Sequence, residues 1–313
     1  MEPTKYRISK ITAVGSVNSC PNYEINLDVL YEFLMVTDPE ADGVKFVEFG
    51  MKKTDTKFKG YSKKLDINRR KNTQTKRFDN QLTVIYKMHN SNPNIKIFKN
   101  GNIQITGLKY IDQVDDILPI IVDTLRTIYN TITNNIMLAK FDKENKPITD
   151  TPFDINNICA HNQKIVLINS DYTVGFEINR DKLYRILRDS YSMNCRFEPC
   201  CYPGVKILYY YNTDNKLGDG ICYCSRPCDE GKSSGHGDKC CKKVTISIFQ
   251  SGNLIITGAQ KTEQIDSAYK CINKILYDIV PQIKRTNVLD IPSPSNSTPA
   301  KKVMIDASSI VLP

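Results

Sequence analysis

Two groups of residues in this chain have types and spacing that could do chemistry. The first is Cys222-x-Cys224-x3-Cys228-x7-His236-x3-Cys240-Cys241. Reduced thiols and an imidazole are the ligands that hold a structural zinc tetrahedrally, and in a Gly-rich stretch almost without aliphatic residues a metal would replace the missing apolar core. Paired Cys-x2-Cys knuckles are absent, so free thiols in a surface insert are the competing reading. The second group is basic. Between Met51 and Phe78, eleven Lys or Arg residues, among them Lys63, Lys64, Arg69, Arg70 and Lys71, stand against Asp55 and Asp66 alone, an excess of nine that equals the net charge of the whole chain, +9. Short of aliphatic side chains, this segment reads as a mobile loop. It either solubilises the protein or contacts a nucleic-acid backbone, with Phe58 and Tyr61 available to stack on bases.

Signatures of catalysis are missing. The sequence has no Gly-rich phosphate loop, no Gly-x-Ser-x-Gly elbow and no His-x-Glu of the zinc deaminases. Cys200-Cys201 has no histidine that the sequence places beside it, so the chain is not expected to be an enzyme. No apolar run approaches the roughly 20 residues of a membrane span, and Met1-Glu-Pro-Thr-Lys lacks the apolar core of a signal peptide. The expected location is nuclear or cytoplasmic and not secreted. The 11 cysteines are then reduced thiols or metal ligands, not a disulfide framework.

The elements that must position these groups are written twice. Phe98-Lys-Asn-Gly-Asn-Ile-Gln-Ile-Thr-Gly107 recurs as Phe249-Gln-Ser-Gly-Asn-Leu-Ile-Ile-Thr-Gly258, 151 residues later. Each copy predicts a hairpin, with a strand ending at the Phe, a tight turn at Gly101-Asn102 or Gly252-Asn253, and a second strand closed by Thr-Gly. Gln113, Asp115 and Leu125 then match Gln264, Asp266 and Leu276, inside stretches of helical period. Pro119 in the first of these predicts a kink or a late start. Further amphipathic helices are expected over Leu27 to Val36 and Arg180 to Tyr191. Two copies with no third exclude a solenoid and suggest a pseudo-twofold α+β fold, with helices segregated to one face of an antiparallel sheet.

At this point the residues resemble the TATA-box-binding protein family. Ser247-Ile-Phe-Gln-Ser-Gly-Asn-Leu-Ile-Ile-Thr-Gly-Ala259 is similar to that family's Leu-Ile-Phe-x-Ser-Gly-Lys-x-Val-x-Thr-Gly-Ala. Phe197-Glu-Pro-Cys-Cys-Tyr-Pro-Gly-Val205 is similar to its Tyr-Glu-Pro-Glu-Leu-Phe-Pro-Gly-Leu, and Phe153-Asp-Ile-Asn-Asn-Ile-Cys159 to its Phe-Lys-Ile-Gln-Asn-Ile-Val. The resemblance implies a saddle of two repeats, a curved antiparallel sheet with helices on the convex face. It divides the chain into a first repeat over 1–136 with a basic insert at 37–80, a linker at 137–152, a second repeat over 153–285 with a Cys-rich insert at 212–242, and a disordered tail at 286–313.

The resemblance also implies a function: a transcription initiation factor that binds and bends A·T-rich promoter DNA through the minor groove, the task for which this family is a standard example of kinking by inserted side chains. Phe98 and Thr106 in the first repeat, and Tyr202, Phe249, Ile255 and Thr257 in the second, fall at its DNA-facing positions, with Asn157 matching a base-contacting Asn that Lys10 replaces in the first repeat. The first-repeat wedge has two competing registers, Ala41 by the match of Asp42-Gly-Val-Lys45 to Pro203-Gly-Val-Lys206, and Gln81 by spacing from Phe98; neither is aromatic. Lys96, Gln104 and Ser247 also stand where the family has apolar residues. Glu198 retains one of the acids through which the family meets transcription factor IIB, while Cys200 replaces the other. The implied partners are double-stranded DNA, a factor of that kind and the RNA polymerase machinery, with a monomer on DNA and no membrane. The heavy use of Asn, Lys and Ile resembles the factors of large DNA viruses, for which the location would be a viral factory or virion. The alternative is a TATA-binding-like scaffold for protein interactions that no longer bends DNA.

Overall fold

The computed structural model describes residues 2–50, 57–61, 80–88, 91–132, 135–228 and 233–285. In chain order these form β1 (Arg7–Asn18), β2 (Tyr23–Ile25), α1 (Leu27–Phe33), β3 (Gly43–Phe49), β4 (Lys57–Gly60), β5 (Gln81–Lys87), β6 (Asn94–Phe98), β7 (Asn102–Leu108), α2 (Gln113–Thr131) and β8 (Met137–Ala139). The second half supplies β9 (Ile158–Thr173), α3 (Arg180–Asp189), β10 (Asn194–Arg196), β11 (Val205–Tyr211), β12 (Lys242–Ile248), β13 (Asn253–Ala259), α4 (Thr262–Asp278) and the short α5 (Val280–Ile283). The first three residues of the expected linker are thus a strand, β8, paired with β2 in a separate two-stranded sheet.

All other strands join one curved 11-stranded antiparallel sheet in the order β10-β11-β12-β13-β9-β1-β7-β6-β5-β3-β4. Outward from the central pair, β9-β13-β12-β11-β10 on one side answers β1-β7-β6-β5-β3 on the other, with β4 an added edge strand, so a pseudo-twofold axis runs between β1 and β9. Period-two alternation sorts the side chains. Ile103, Ile105 and Leu108 of β7, and Leu254, Ile256 and Ala259 of β13, are fully buried beneath the helices. Each large one contributes roughly 1.5–3 kcal/mol by leaving water. Among the described residues the helices meet only this face, and the other is open.

The helix ends show why the duplication is deep. Glu24-Ile-Asn-Leu-Asp28 and Glu177-Ile-Asn-Arg-Asp181 place Asn26 and Asn179 as N-caps, accepting from the backbone N–H of Val29 and Lys182. Gln113 and Gln264, both buried, accept through Oε1 from the two backbone N–H groups that enter α2 (Lys109, Tyr110) and α4 (Gln260, Lys261). Pro119 neither delays nor ends α2, which runs unbroken from Gln113 to Thr131. The lost bond falls on the Asp115 carbonyl in the first turns, and burial of Ile117, Leu118 and Ile121 outweighs it.

Both hairpin turns need glycine. Gly101 and Gly252 have φ of +83° and +79°, and a Cβ would lie 2.4 Å from the Asn18 Cβ and 2.2 Å from the Phe176 carbonyl oxygen, respectively. Gly175 has the same φ of +79° with nothing within 4 Å. Gly252→Ala is therefore expected to destabilise by roughly 2–3 kcal/mol, against about 1 kcal/mol for Gly175→Ala. Urea unfolding of the two variants checks this, and equal losses would show that the close approach at Gly252 relaxes freely.

Candidate nucleic-acid interface

The open face is assembled strand by strand from the registers. In the second half Lys206 lies opposite Ser247, which lies opposite Ile255; Leu208 lies opposite Thr245, which lies opposite Thr257. These side chains line one trough of about 960 Å³ together with Tyr202 and Tyr210. The mixed apolar and hydroxyl surface suits a minor groove, where A·T and T·A present the same acceptors. At one end of the trough the rings of Tyr202 and Phe249 stand 5.8 Å apart at 55°. The turn after Phe197 fixes Tyr202, whose N–H, like that of Cys201, donates to the Glu198 carbonyl. Lys206 Nζ lies 3.9 Å above the Tyr202 ring. Glu198 is exposed beside the same turn.

In the first half Asn94 lies opposite Thr106 and Lys96 opposite Gln104, with Phe98 at the end of β6 on the same face. The structure decides between the two wedge registers. β5 is the neighbour of β6, and Gln81 sits directly opposite Phe98. Ala41 is excluded, because Asp42-Gly-Val-Lys leads into β3, one strand further out. Among the described residues Phe98 has no stacked ring. The first half carries an aromatic pair elsewhere: Phe46 opposes Ile85 on the sheet but is only 3% exposed, and the exposed Phe58 of β4 stacks on it at 6.5 Å and 26°. Sequence reasoning missed Phe46 because a bulge between Val44 and Phe46 shifts the alternation that would have announced it.

Two expectations change at the centre. Asn157 is not on the sheet: it ends a 3₁₀ turn before β9, and the Ser19 hydroxyl donates to its Oδ1. The pairings show what does occupy the central positions. Ile11 opposes Leu108 and Ile168 opposes Ala259, so the central strands repeat with an offset of 157 residues where the hairpins repeat with 151. Lys10 therefore corresponds to Leu167, and Thr12 to Asn169. Neighbours of Asn169 in β9, Ile168 and Ser170, are fully buried toward the helices, which leaves Asn169 on the open face with its Oδ1 buried and unpartnered among the described residues. The match at Phe153 had hidden this residue; alternation within Ile168-Asn-Ser170 is the signal that could have found it.

Basic residues are also redistributed. Lys63, Lys64, Arg69, Arg70 and Lys71 lie outside the described residues. Of the same segment, Lys57 to Gly60 form a strand on the sheet edge, not a loop. Lys59 Nζ donates to the carbonyls of Tyr31 and Glu32 at the C-terminus of α1, where the helix dipole favours a cation, and lies 4.7 Å over the Tyr31 ring. Lys10, Lys164 and Lys206 instead stand exposed on the open face, with half-buried Lys96. Lys96 and Lys206 alternate with buried aliphatic residues, a pattern visible in Ile95-Lys-Ile97 and Val205-Lys-Ile207.

The thiol group is a separate feature, in the insert joining β11 to β12. The Sγ atoms of Cys222, Cys224, Cys228 and Cys241 all lie within 4.8 Å of one another. Two expected ligands are not among them. His236 Nδ1 is 2.7 Å from the Thr213 hydroxyl and 3.6 Å from Asp214, and Cys240 stands outside the four-sulfur group because its neighbour Cys241 turns inward. Burial raises the pKa of Cys241 and opposes ionisation of Cys222, but backbone N–H groups of Cys224 and Cys228 directed at the Cys222 sulfur leave that thiol below the ordinary range.

A pseudo-twofold antiparallel sheet with every helix on one face and an open, aromatic-ended face on the other defines a two-repeat saddle protein. The family model of transcription factor TFIID (or TATA-binding protein, TBP) matches residues 62–128 and 162–279, more than half of the chain. The chain is 31% identical over 220 residues to the TATA-box-binding protein-like protein of Acanthamoeba polyphaga mimivirus, an alignment taking in 69% of this chain and 52% of that one. It thus spans about half the length of that relative. The solved structure of the Methanococcus jannaschii TBP aligns with a TM-score of 0.43 at 15% identity, over 88% of this chain and 99% of that chain, a distant likeness. The chain belongs to the TATA-binding protein family.

The Asn169 and Gln264 amides are expected to behave differently. Asn169→Ala, which removes an amide whose buried Oδ1 has no partner among the described residues, should change stability by less than about 0.5 kcal/mol, whereas Gln264→Leu strands two backbone donors and should cost roughly 1–3 kcal/mol. Denaturant titration checks this; a large loss at Asn169 would mean that its amide is engaged in the fold and not held for a ligand.

Proposed function

We propose that this chain is a TATA-box-binding-protein-like transcription initiation factor that binds and bends A·T-rich promoter DNA through the minor groove. The observation that carries this reading is the Tyr202–Phe249 pair at the end of the trough lined by Lys206, Leu208, Thr245, Ile255 and Thr257, in a chain of this family. Aromatic side chains at that end can wedge a base step open at a cost of a few kcal/mol, which the bent duplex returns by contacting more of the sheet. Thr257 and Asn169 offer donors to base acceptors, and Lys10, Lys96, Lys164 and Lys206 meet the phosphates. Exposed Glu198 is the contact for a transcription factor IIB-like partner, through which the polymerase machinery would be recruited to a monomer on DNA. The reading assigns no catalytic step to the chain.

A scaffold that has ceased to bend DNA is the second reading, favoured by the first half, where Gln81, Lys96 and Gln104 surround an unstacked Phe98. A short A·T-rich duplex labelled at both ends separates the two. Bending predicts energy transfer between the labels and an affinity that falls steeply as salt rises. Phe249→Ala and Tyr202→Ala should each lower affinity by about tenfold or more and abolish the transfer change before electrostatic binding is lost. Phe98→Ala should cost less than Phe249→Ala. Lys206→Ala should reduce the salt slope by about one. Absence of duplex binding at low salt would eliminate the first reading, and binding without a change in transfer would leave a straight-DNA clamp.

A further inference from the structure

The insert between β11 and β12 cannot hold its shape by burial. From Asn212 to Cys240 its aliphatic residues are Leu217 and Ile221, and Leu217 is 75% exposed, as is much of Tyr223. Small units without an apolar core need a crosslink or a metal. Yet the insert's described residues are held by specific contacts. Tyr209, fully buried, reaches the Ser267 hydroxyl of α4 at 2.6 Å and donates to the Gly218 carbonyl, fixing the insert's first half to the body. The Asp238 carboxylate accepts from the Ser225 hydroxyl and backbone N–H, drawing the segment before Cys228 onto the segment before Cys241.

Those two segments bring four sulfurs together. Cys224 Sγ is 3.5 Å and Cys222 Sγ 3.7 Å from Cys241 Sγ, and all four, with Cys228, lie within 4.8 Å of one another. A Zn–S bond of about 2.3 Å sets the edge of a ZnS4 tetrahedron at about 3.8 Å. A disulfide instead needs about 2.05 Å and joins only two sulfurs. Cys228 and Cys241 are buried, 8% and 2% exposed, while Cys222 and Cys224 are half-buried, so the site lies near the surface and its four sulfurs alone would complete the closed ligand set of a structural ion. Support for the thiolates is also in place: backbone N–H groups of Cys224 and Cys228 point at the Cys222 sulfur, and Asn212 Nδ2 lies 3.6 Å from the Cys241 sulfur. Four thiolates around a divalent ion leave two negative charges, and Arg226, Lys239, Lys242 and Lys243 stand within two residues of a ligand in the chain.

We propose that Cys222, Cys224, Cys228 and Cys241 form a structural zinc site that clasps this insert, with His236 and Cys240 outside the ligand set. A soft, all-sulfur tetrahedral donor set selects zinc over hard cations. The clasp holds the insert at the opposite end of β11 and β12 from Tyr202 and Phe249, so it shapes the surface there and does not touch the aromatic pair.

The test is metal content of the full chain purified under reducing conditions from zinc-supplemented cells. One zinc per chain is expected, with a cobalt-exchanged form showing the absorption of four-thiolate tetrahedral coordination. Cys222→Ser and Cys241→Ser should lower metal affinity by about tenfold or more, while His236→Ala and Cys240→Ser keep it. As a measurement that needs no variant, native thiol titration should find four cysteines protected, all released by a strong chelator. The proposal is overturned if the chain carries no metal and these thiols titrate freely, if they are joined as disulfides, if iron replaces zinc, or if His236→Ala removes the metal as fully as Cys241→Ser.

Discussion

The pairing of β1 with β9 is the constraint on which the molecule depends. Each half by itself would expose a long inner edge strand, β1 or β9, besides its outer one, and such edges are templates for further pairing. Joining the two inner edges antiparallel removes both and makes a single sheet from two repeats. The long central strands, 12 and 16 residues, slip register several times along the pair, and those irregularities let a sheet of this width bend. With all helices spent on burying one face, the curved opposite face is left without a layer of its own. A surface of that kind, bearing lysines, threonines and paired rings, is available for a ligand about as long as the sheet.

The duplicated hairpin was legible because its residues are dictated by backbone geometry. Only glycine fits the positive-φ turns at 101 and 252, and the buried glutamines must satisfy donors that every such strand-to-helix turn leaves behind. The motif at Phe249 likewise placed Ile255 and Thr257 on the open face correctly, because alternation is unbroken from Asn253 to Thr257. The centre was less legible. Offsets of 151 and 157 differ by six residues, because the second half is six residues shorter between β9 and β13 than the first is between β1 and β7, a difference that no local pattern reveals, and the Asn-Asn pair at 156–157 supplied a convincing false match.

Long-range pairing is what the sequence could not supply elsewhere. The choice between Ala41 and Gln81 turned on which strand neighbours β6, a fact with no local signature. Charge composition does not by itself place a lysine on a face. Lys57 and Lys59 belong to the most basic stretch of the chain, yet they are turned toward α1, whereas isolated lysines at alternating strand positions carry the positive charge of the open face. For the cysteines, spacing identified the segment and the fold selected the ligands, since Cys240 and Cys241 are adjacent and only one can point inward.

The unequal halves have a further consequence. A saddle with perfect twofold symmetry would sit equally well on a duplex in either of two orientations, and a factor bound that way could convey no direction. Here one half ends in Tyr202 over Lys206 with Phe249, and the other places Phe46 and Phe58 out on its edge strands. The two ways of setting this chain on an asymmetric site thus differ in energy. Divergence between the repeats converts a symmetric clamp into an object with a front and a back.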